Sequence, residues 1–282
     1  YTVAHLKTIN DKTTGAIVLA TPTANLSGEV ADIVAAFAGT VTTNTGTITI
    51  SDAGTTDIQA TDIATINTAI TGAITVSSAI DINGSGADVA AAFTAIDTNT
   101  GNATANITGT DYTVAHLKTI NDKTTGAIVL ATPTANLTGS VSDTVDAFAG
   151  TVTTNTGTIT FNDSAGADIT ATDITNLNAK ITGNITFNSA VDINGSGSEV
   201  KAAFDVIDSN GNATANITGN DYTVAQLKAI NNATSGSINL AVPNVNFTDS
   251  SSNLAAAFDG TINSSGTLTV NNADYTCLLY TS

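Results

Sequence analysis

The 26 residues YTVAHLKTINDKTTGAIVLATPTANL at Tyr1–Leu26 recur unchanged at Tyr112–Leu137. A weaker copy, DYTVAQLKAINNATSGSINLAVPNVNF, fills Asp221–Phe247. A chain that copies itself must fold into units that accept a copy of themselves as a neighbour, so self-similarity outranks length as a guide to architecture. Inside this coarse period of about 110 lies a second one. Phe37, Phe93, Phe148, Phe204 and Phe258 stand 54–56 residues apart, each closing one of the phrases DIVAAF, DVAAAF, DTVDAF, EVKAAF and NLAAAF. A glycine series, Gly15, Gly46, Gly72, Gly101, Gly126, Gly157, Gly183, Gly211, Gly236 and Gly266, gives a finest spacing of about 28.

Each glycine follows a helix-like phrase, and most precede a strand-like one. Val30, Ile33 and Phe37 fall at i, i+3, i+7, as do Ile63, Ile66 and Ile70, while Val3, Leu6 and Ile9 run i, i+3, i+6. Such stripes predict helices with one apolar face. Ser27, Thr61, Thr172 and Asp111 stand where their oxygens would cap the first turns. After the glycines, apolar residues alternate: Ile17/Leu19, Ile48/Ile50, Ile74/Val76, Ile128/Leu130, Ile159/Phe161, Ile185/Phe187, Ile238/Leu240 and Leu268/Val270. This is the period-two pattern of a strand with one buried face. Leu26, Ile82, Leu137, Ile193 and Phe247 mark a second short extended segment.

A helix of about ten residues and a strand of about five cannot bury a core alone, but stacked neighbours can. The sequence therefore predicts an α/β repeat solenoid of about ten helix-turn-strand coils, paired into units of about 55. Its parallel strands are expected to form a single sheet with the helices on one side. The half-repeats run near 1–56, 57–111, 112–167, 168–221 and 222–276. The plan resembles leucine-rich repeats without their asparagine-ladder consensus. Strands about 4.8 Å apart beside helices about 8–10 Å apart predict modest curvature or twist. A string of separate 55-residue domains fits less well, because Pro22, Pro133 and Pro243 occupy matching places in the repeat and no linker separates the units.

Composition narrows function. Seven lysines, no arginine and 24 acids give a net charge of −17, which disfavours nucleic acid, whose phosphates need Lys or Arg. It also disfavours anionic membrane surfaces, and no apolar run reaches the roughly 18 residues of a membrane helix. The single cysteine, Cys277, lies in CLLYTS, where the repeat pattern of Asp274, Tyr275 and Thr276 breaks off. Residues 277–282 resemble the translation of a transposase-adapter sequence used in DNA library preparation and are expected to be foreign to the protein. The chain, which has no methionine and begins inside a repeat, reads as a fragment.

Candidate chemistry is sparse. His5 and His116 share one repeat position, but the third copy has Gln226 there, which favours a tolerated helix-surface site over a metal or catalytic one. AIDINGSG and AVDINGSG place Asp81, Asn83, Asp192 and Asn194 two apart before glycine, as in part of a calcium loop. The full calcium-loop pattern is missing, and a turn before a helix explains the same residues. Thr42, Thr43, Thr45, Thr47 and Thr49 form a row that either meets a flat carbohydrate or mineral lattice or is the solvated face of a strand. An enzyme would need paired acids or a cationic cluster on one face, which the scattered lysines do not supply. No cofactor is implied.

The phrase DYTVAQLKAINNATSGSINL, with its LxxIN…TxG core, resembles the repeats in giant surface or secreted proteins of marine picocyanobacteria and other aquatic bacteria. The resemblance covers essentially the whole chain before the tail. It implies a long extracellular or cell-surface polypeptide with a structural, adhesive or coating role. Surface glycans or other cell-surface proteins are its expected partners, without catalysis, nucleic-acid binding or membrane insertion. The alternative is a calcium- or glycan-binding solenoid of an adhesin.

Overall fold

A computed structural model describes residues 1–271 of the chain. The suspected adapter-derived stretch 277–282 lies outside the described residues, as do the last residues of the fifth half-repeat.

Ten helices punctuate the described chain: α1 (Val3–Asn10), α2 (Val30–Phe37), α3 (Ala60–Ala69), α4 (Gly86–Ala95), α5 (Val114–Asn121), α6 (Val141–Ala147), α7 (Ala171–Asn178), α8 (Gly197–Val206), α9 (Val224–Ala233) and α10 (Ser251–Ala257). Between them lie short strands. The first eight are β1 (Leu26–Gly28), β2 (Ile48–Ile50), β3 (Asp57–Gln59), β4 (Ile74–Val76), β5 (Asp81–Gly84), β6 (Thr98–Asn99), β7 (Thr104–Ile107) and β8 (Ile128–Leu130). The remainder are β9 (Leu137–Gly139), β10 (Ile159–Phe161), β11 (Asp168–Thr170), β12 (Ile185–Phe187), β13 (Asp192–Gly195), β14 (Thr214–Ile217), β15 (Ile238–Leu240), β16 (Phe247–Asp249) and β17 (Leu268–Val270). The molecule is thus an α/β repeat of strand-helix coils with parallel strands. No helix among the described residues is long and apolar enough to cross a membrane.

The chain divides into two compact units. One comprises Tyr1–Ala135 with Asp143–Thr156, the other Asn136–Ser142 with the residues from Gly157 onward. In the first unit two parallel sheets run β1-β2-β4-β6 and β3-β5-β7-β8, and α1 to α5 each pack on the next helix. In the second unit the sheets run β9-β10-β12, β11-β13-β14-β15 and β16-β17, and α7 to α10 pack in the same sequence.

Several short sheets therefore replace the one continuous sheet that the pattern predicted. The reason lies in two unequal pitches. Paired strand residues are 21 to 26 positions apart, as in Phe247↔Leu268 and Ile48↔Ile74, whereas helices begin every 26 to 30 residues. Each column of strands consequently drifts along its coil. β3 ends immediately before α3, β5 ends two residues before the start of α4, and β7 ends seven before α5. β11, β13 and β14 repeat the same gaps before α7, α8 and α9. The slip lengthens the distance between equivalent points of successive coils beyond the strand spacing of about 4.8 Å. That reconciles the ladder with helices that pack about 8–10 Å apart. A column that has drifted far enough runs out, and a new one starts.

The core follows the alternation. Ile48, Ile50, Ile74 and Val76 point inward at 0–1% exposure, as do Ile159 and Phe161. Helix stripes such as Ile33, Ile63, Ile66, Leu117 and Leu227 close over them. Burying each such side chain fully is worth about 1.5–3 kcal/mol relative to leaving it in water. Small residues let neighbouring coils approach. A Cβ on Gly86 would lie 2.6 Å from the Tyr112 Cα, and one on Gly126 would lie 2.5 Å from the carbonyl oxygens of Asn102 and Ala103. Gly46, Gly72, Gly101, Gly126, Gly211, Gly236 and Gly266 of the periodic series are thus close-approach positions where one coil crosses the backbone of the previous one.

Helix starts differ from expectation. Ser27 lies in β1, and Thr61 and Thr172 lie inside α3 and α7; the residues at the caps are Glu29, Gln59 and Thr170, none of which makes a side-chain cap bond. The first amide of α2, on Val30, instead donates to Asp52 Oδ2 at 2.8 Å, and that of Val141 donates to Asp163 Oδ2 at 3.0 Å. Asp111 does not cap its own helix either; its Oδ1 accepts from the Gly86 amide at 3.2 Å, while Thr113 caps α5. The single residue between β1 and α2 is Glu29, which makes no cap bond, and the next coil supplies the acceptor; Ser85, Ser196 and Ser250, placed the same way before α4, α8 and α10, cap locally.

Candidate functional site

Two kinds of surface carry polar side chains in regular files, and both belong to the outer faces of the sheets. In β1-β2-β4-β6 the outward residues Ser27, Thr49, Thr75 and Thr98 are in register, strand by strand. In β9-β10-β12 the matching file is Thr138, Thr160 and Thr186, with Ser209 bridged to Thr186. Strand spacing fixes these hydroxyls at intervals of about 4.8 Å. The threonine row of the sequence is not one such face. The Thr42 hydroxyl accepts from the Leu19 amide at 3.1 Å, and the Thr45 hydroxyl donates to the Pro22 carbonyl at 3.3 Å. Thr43 is exposed, the Thr47 amide donates to Asn25 Oδ1 at 2.9 Å, and Thr49 alone stands in the sheet file. Coil-to-coil bonding absorbs most of the row.

The second surface holds the calcium candidates. Asp81 and Asn83 flank the fully buried Ile82 on β5, and Asp192 and Asn194 flank Ile193 on β13, so all four lie on the outer side. Strand pairing sets Asp57 in register with Asp81, and Asp168 with Asp192. Asn83 Nδ2 donates to Asp57 Oδ1 at 3.0 Å and to the Asp81 carbonyl at 3.1 Å. Asn194 repeats this with Asp168 Oδ1 at 3.1 Å and the Asp192 carbonyl at 2.9 Å. Its own Oδ1 accepts from Asn216 Nδ2 at 3.0 Å, whose Oδ1 in turn accepts from Asn239 Nδ2 at 2.9 Å. An asparagine ladder therefore runs along the outer face across β13, β14 and β15. Its signal was available as Asn194, Asn216 and Asn239 at equivalent strand positions. In the other unit Asn83 and Asn106 are followed in register by Val129, and the ladder cannot extend. Among the described residues, no group of three or more His, Cys, Asp or Glu side chains converges to hold a metal.

Many of the remaining acids brace the fold. Besides Asp52, Asp111 and Asp163, Asp97 Oδ2 accepts from the Ile74 amide at 2.9 Å and Asp208 Oδ2 from the Ile185 amide at 2.8 Å. Lys7 pairs with Asp32 across α1 and α2, and Lys118 Nζ lies 2.5 Å from Asp146 Oδ2. The hydrogen bonds that they donate to Asp32 and Asp146 hold both ammonium groups above the ordinary lysine range. Glu199 accepts from the Ser196 amide at 2.8 Å, which holds its carboxyl below the usual carboxylate range. Burial pushes the Tyr112 and Tyr222 phenols up. Tyr112 Oη donates toward Asn155 Oδ1 at 2.9 Å and lies 3.2 Å from the Thr132 carbonyl; Asn155 is fully buried.

The histidines separate. His5 is exposed, while His116 is half-buried on α5 with its Nδ1 buried and without a hydrogen-bond partner. Gln226 at the same repeat position accepts from the Thr223 amide at 2.7 Å and completes a capping box. The position serves the helix start, in line with the helix-surface reading.

A groove of about 620 Å³ lies beside the C-terminal ends of α3 and α4, lined by Asn67, Thr71, Gly72, Ala91, Thr94 and Asp97 among others. At the corresponding place in other coils an asparagine reaches across to the next helix: Asn10 to the Ala35 carbonyl at 2.9 Å, Asn121 to Asp146 at 2.8 Å and Asn231 to Ala256 at 3.1 Å. Asn67 is exposed instead, and the groove is wide open and mostly polar-walled. No protein-family model, curated protein or solved structure matches the chain.

Proposed function

We propose that this chain is a structural, adhesive spacer of a large secreted or cell-surface repeat protein, without catalysis. The observation that carries the reading is the repetition of the same bracing in each of the three long copies. A tyrosine hydroxyl lies within hydrogen-bond distance of a carbonyl 20 residues on at Tyr1, Tyr112 and Tyr222, at 2.7, 3.2 and 2.6 Å. An asparagine ties helix to helix at Asn10, Asn121 and Asn231, and a lysine does so at Lys7, Lys118 and Lys228. What the copies keep is what holds one coil to the next, as a scaffold that gains length by duplication requires.

The in-register pairs Asp57–Asp81 and Asp168–Asp192 favour a second reading, a calcium- or glycan-binding solenoid, because they stack carboxylate oxygens on one face. Calorimetry with calcium, thermal melts with and without EDTA, and a glycan array separate the two. The spacer reading expects no heat, no shift in melting and no retained glycan. Saturable calcium uptake that is lost in D81N/D192N, or a retained glycan, replaces it with the second reading.

A further inference from the structure

Asparagine is followed by glycine three times, at Asn83-Gly84, Asn194-Gly195 and Asn210-Gly211. The pair is reactive because a glycine nitrogen, with no side chain beside it, can reach the carbonyl carbon of the preceding carboxamide. The fold treats the three differently. Gly84 and Gly195 are strand residues in register with Ile107 and Ile217, and their carbonyls accept from the Thr108 and Thr218 amides at 3.0 and 2.9 Å. Their asparagines are pinned outward to Asp57 and Asp168. Folding either carboxamide back onto its own chain breaks the ladder. Asn210-Gly211 lies instead in the turn before β14, and Gly211 has a left-handed φ of +59°. The Gly211 amide donates to no acceptor among the described residues. Asn210 Oδ1 accepts from the Asn212 amide at 2.9 Å, which folds the carboxamide over the Gly211 peptide.

We propose that Asn210 is a self-modification site, converted to aspartate and isoaspartate by its own backbone well ahead of Asn83 and Asn194. The site is independent of the spacer reading. The Gly211 nitrogen attacks Asn210 Cγ and gives up its proton to water as the new C–N bond forms. The Asn212 N–H already points at Oδ1, the atom on which negative charge develops. The carboxamide nitrogen takes a proton from water and leaves as ammonia, closing a succinimide ring. A water molecule then opens the ring at either carbonyl, and nothing is oxidised or reduced. The first unit holds a natural control. Asn99 and Asn210 are repeat counterparts, whose Nδ2 groups donate to the matching Lys123 and Ala233 carbonyls at 3.3 and 2.6 Å. Asn99 is followed by Thr100, whose branched side chain shields the nitrogen. The aspartate formed at Asn210 has no N–H for the Ala233 carbonyl, so conversion removes one coil-to-coil tie.

Incubating the full chain in heavy-oxygen water at mildly alkaline pH tests this. Each ring opening leaves one heavy oxygen at the converted residue, and peptide mass mapping locates it. Conversion during digestion in ordinary water carries no label. In the native chain Asn210 should take up label about tenfold or more faster than Asn83 and Asn194, whose strands must open first. In denaturing urea the three should react alike, since all precede glycine, while Asn99 stays slow in both conditions. The wild-type chain serves throughout, so no folding defect of a variant enters. Three results each overturn the proposal: Asn83 or Asn194 keeping pace with Asn210 in the native chain, Asn99 keeping pace with it, or a native Asn210 that stays unlabelled while the urea-treated chain is labelled.

Discussion

At the residue scale the chain uses its acids as backbone acceptors for the neighbouring coil. Asp52 is 6% exposed and satisfies the first amide of α2. Asp52→Ala leaves that donor buried and should cost about 1.5–3 kcal/mol, while Asp52→Asn keeps an acceptor oxygen and costs less. Denaturant titration reads both. The repeat also supplies its own improvement. Gln226 closes a capping box that His116 cannot, and His116 Nδ1 is buried without a partner. His116→Gln is therefore expected to stabilise the chain by about 0.5–1 kcal/mol, seen as a higher melting temperature. His5→Gln, at an exposed site, gains only the cap.

At the element scale, glycine sorts by what lies opposite it. Gly86→Ala drives a methyl into the Tyr112 backbone and should destabilise by about 1–3 kcal/mol. Gly54→Ala meets nothing closer than 3.8 Å and is expected to stay within about 0.5 kcal/mol of wild type. Chemical denaturation of the two variants side by side checks the contrast. Helices and main strands were legible because apolar spacing is a local signal, and Val30, Ile33 and Phe37 or Ile48 and Ile50 need only their own neighbours to be read. β3 and β11 were missed because Asp57-Ile58-Gln59 and Asp168-Ile169-Thr170 each carry a single inward residue, and Ile58 and Ile169 fall outside the 55-residue series that marked Leu26, Ile82, Leu137, Ile193 and Phe247. The cap of α2 was misplaced because its acceptor, Asp52, comes from 22 residues further on. The Asp81 and Asp192 motifs could be found in sequence, but not their amide partners Asp57 and Asp168, which strand pairing brings alongside.

At the scale of the whole molecule, stability should depend on keeping the repeat phase. Removing residues 112–221, one full period that rejoins Asp111 to the Tyr222-Thr223 start, should leave a cooperatively folding chain with a smaller denaturant m-value in proportion to the surface lost. Removing about 14 residues more or fewer should abolish the cooperative transition in circular dichroism, because every inward side chain beyond the join would face a mismatched neighbour. The unequal strand and helix pitches sharpen this expectation. They act as the two rulers of a vernier, whose marks coincide again only after the long interval. Gene duplication can therefore lengthen such a protein only in large strides, and the unblemished 26-residue echo is the footprint of one of them.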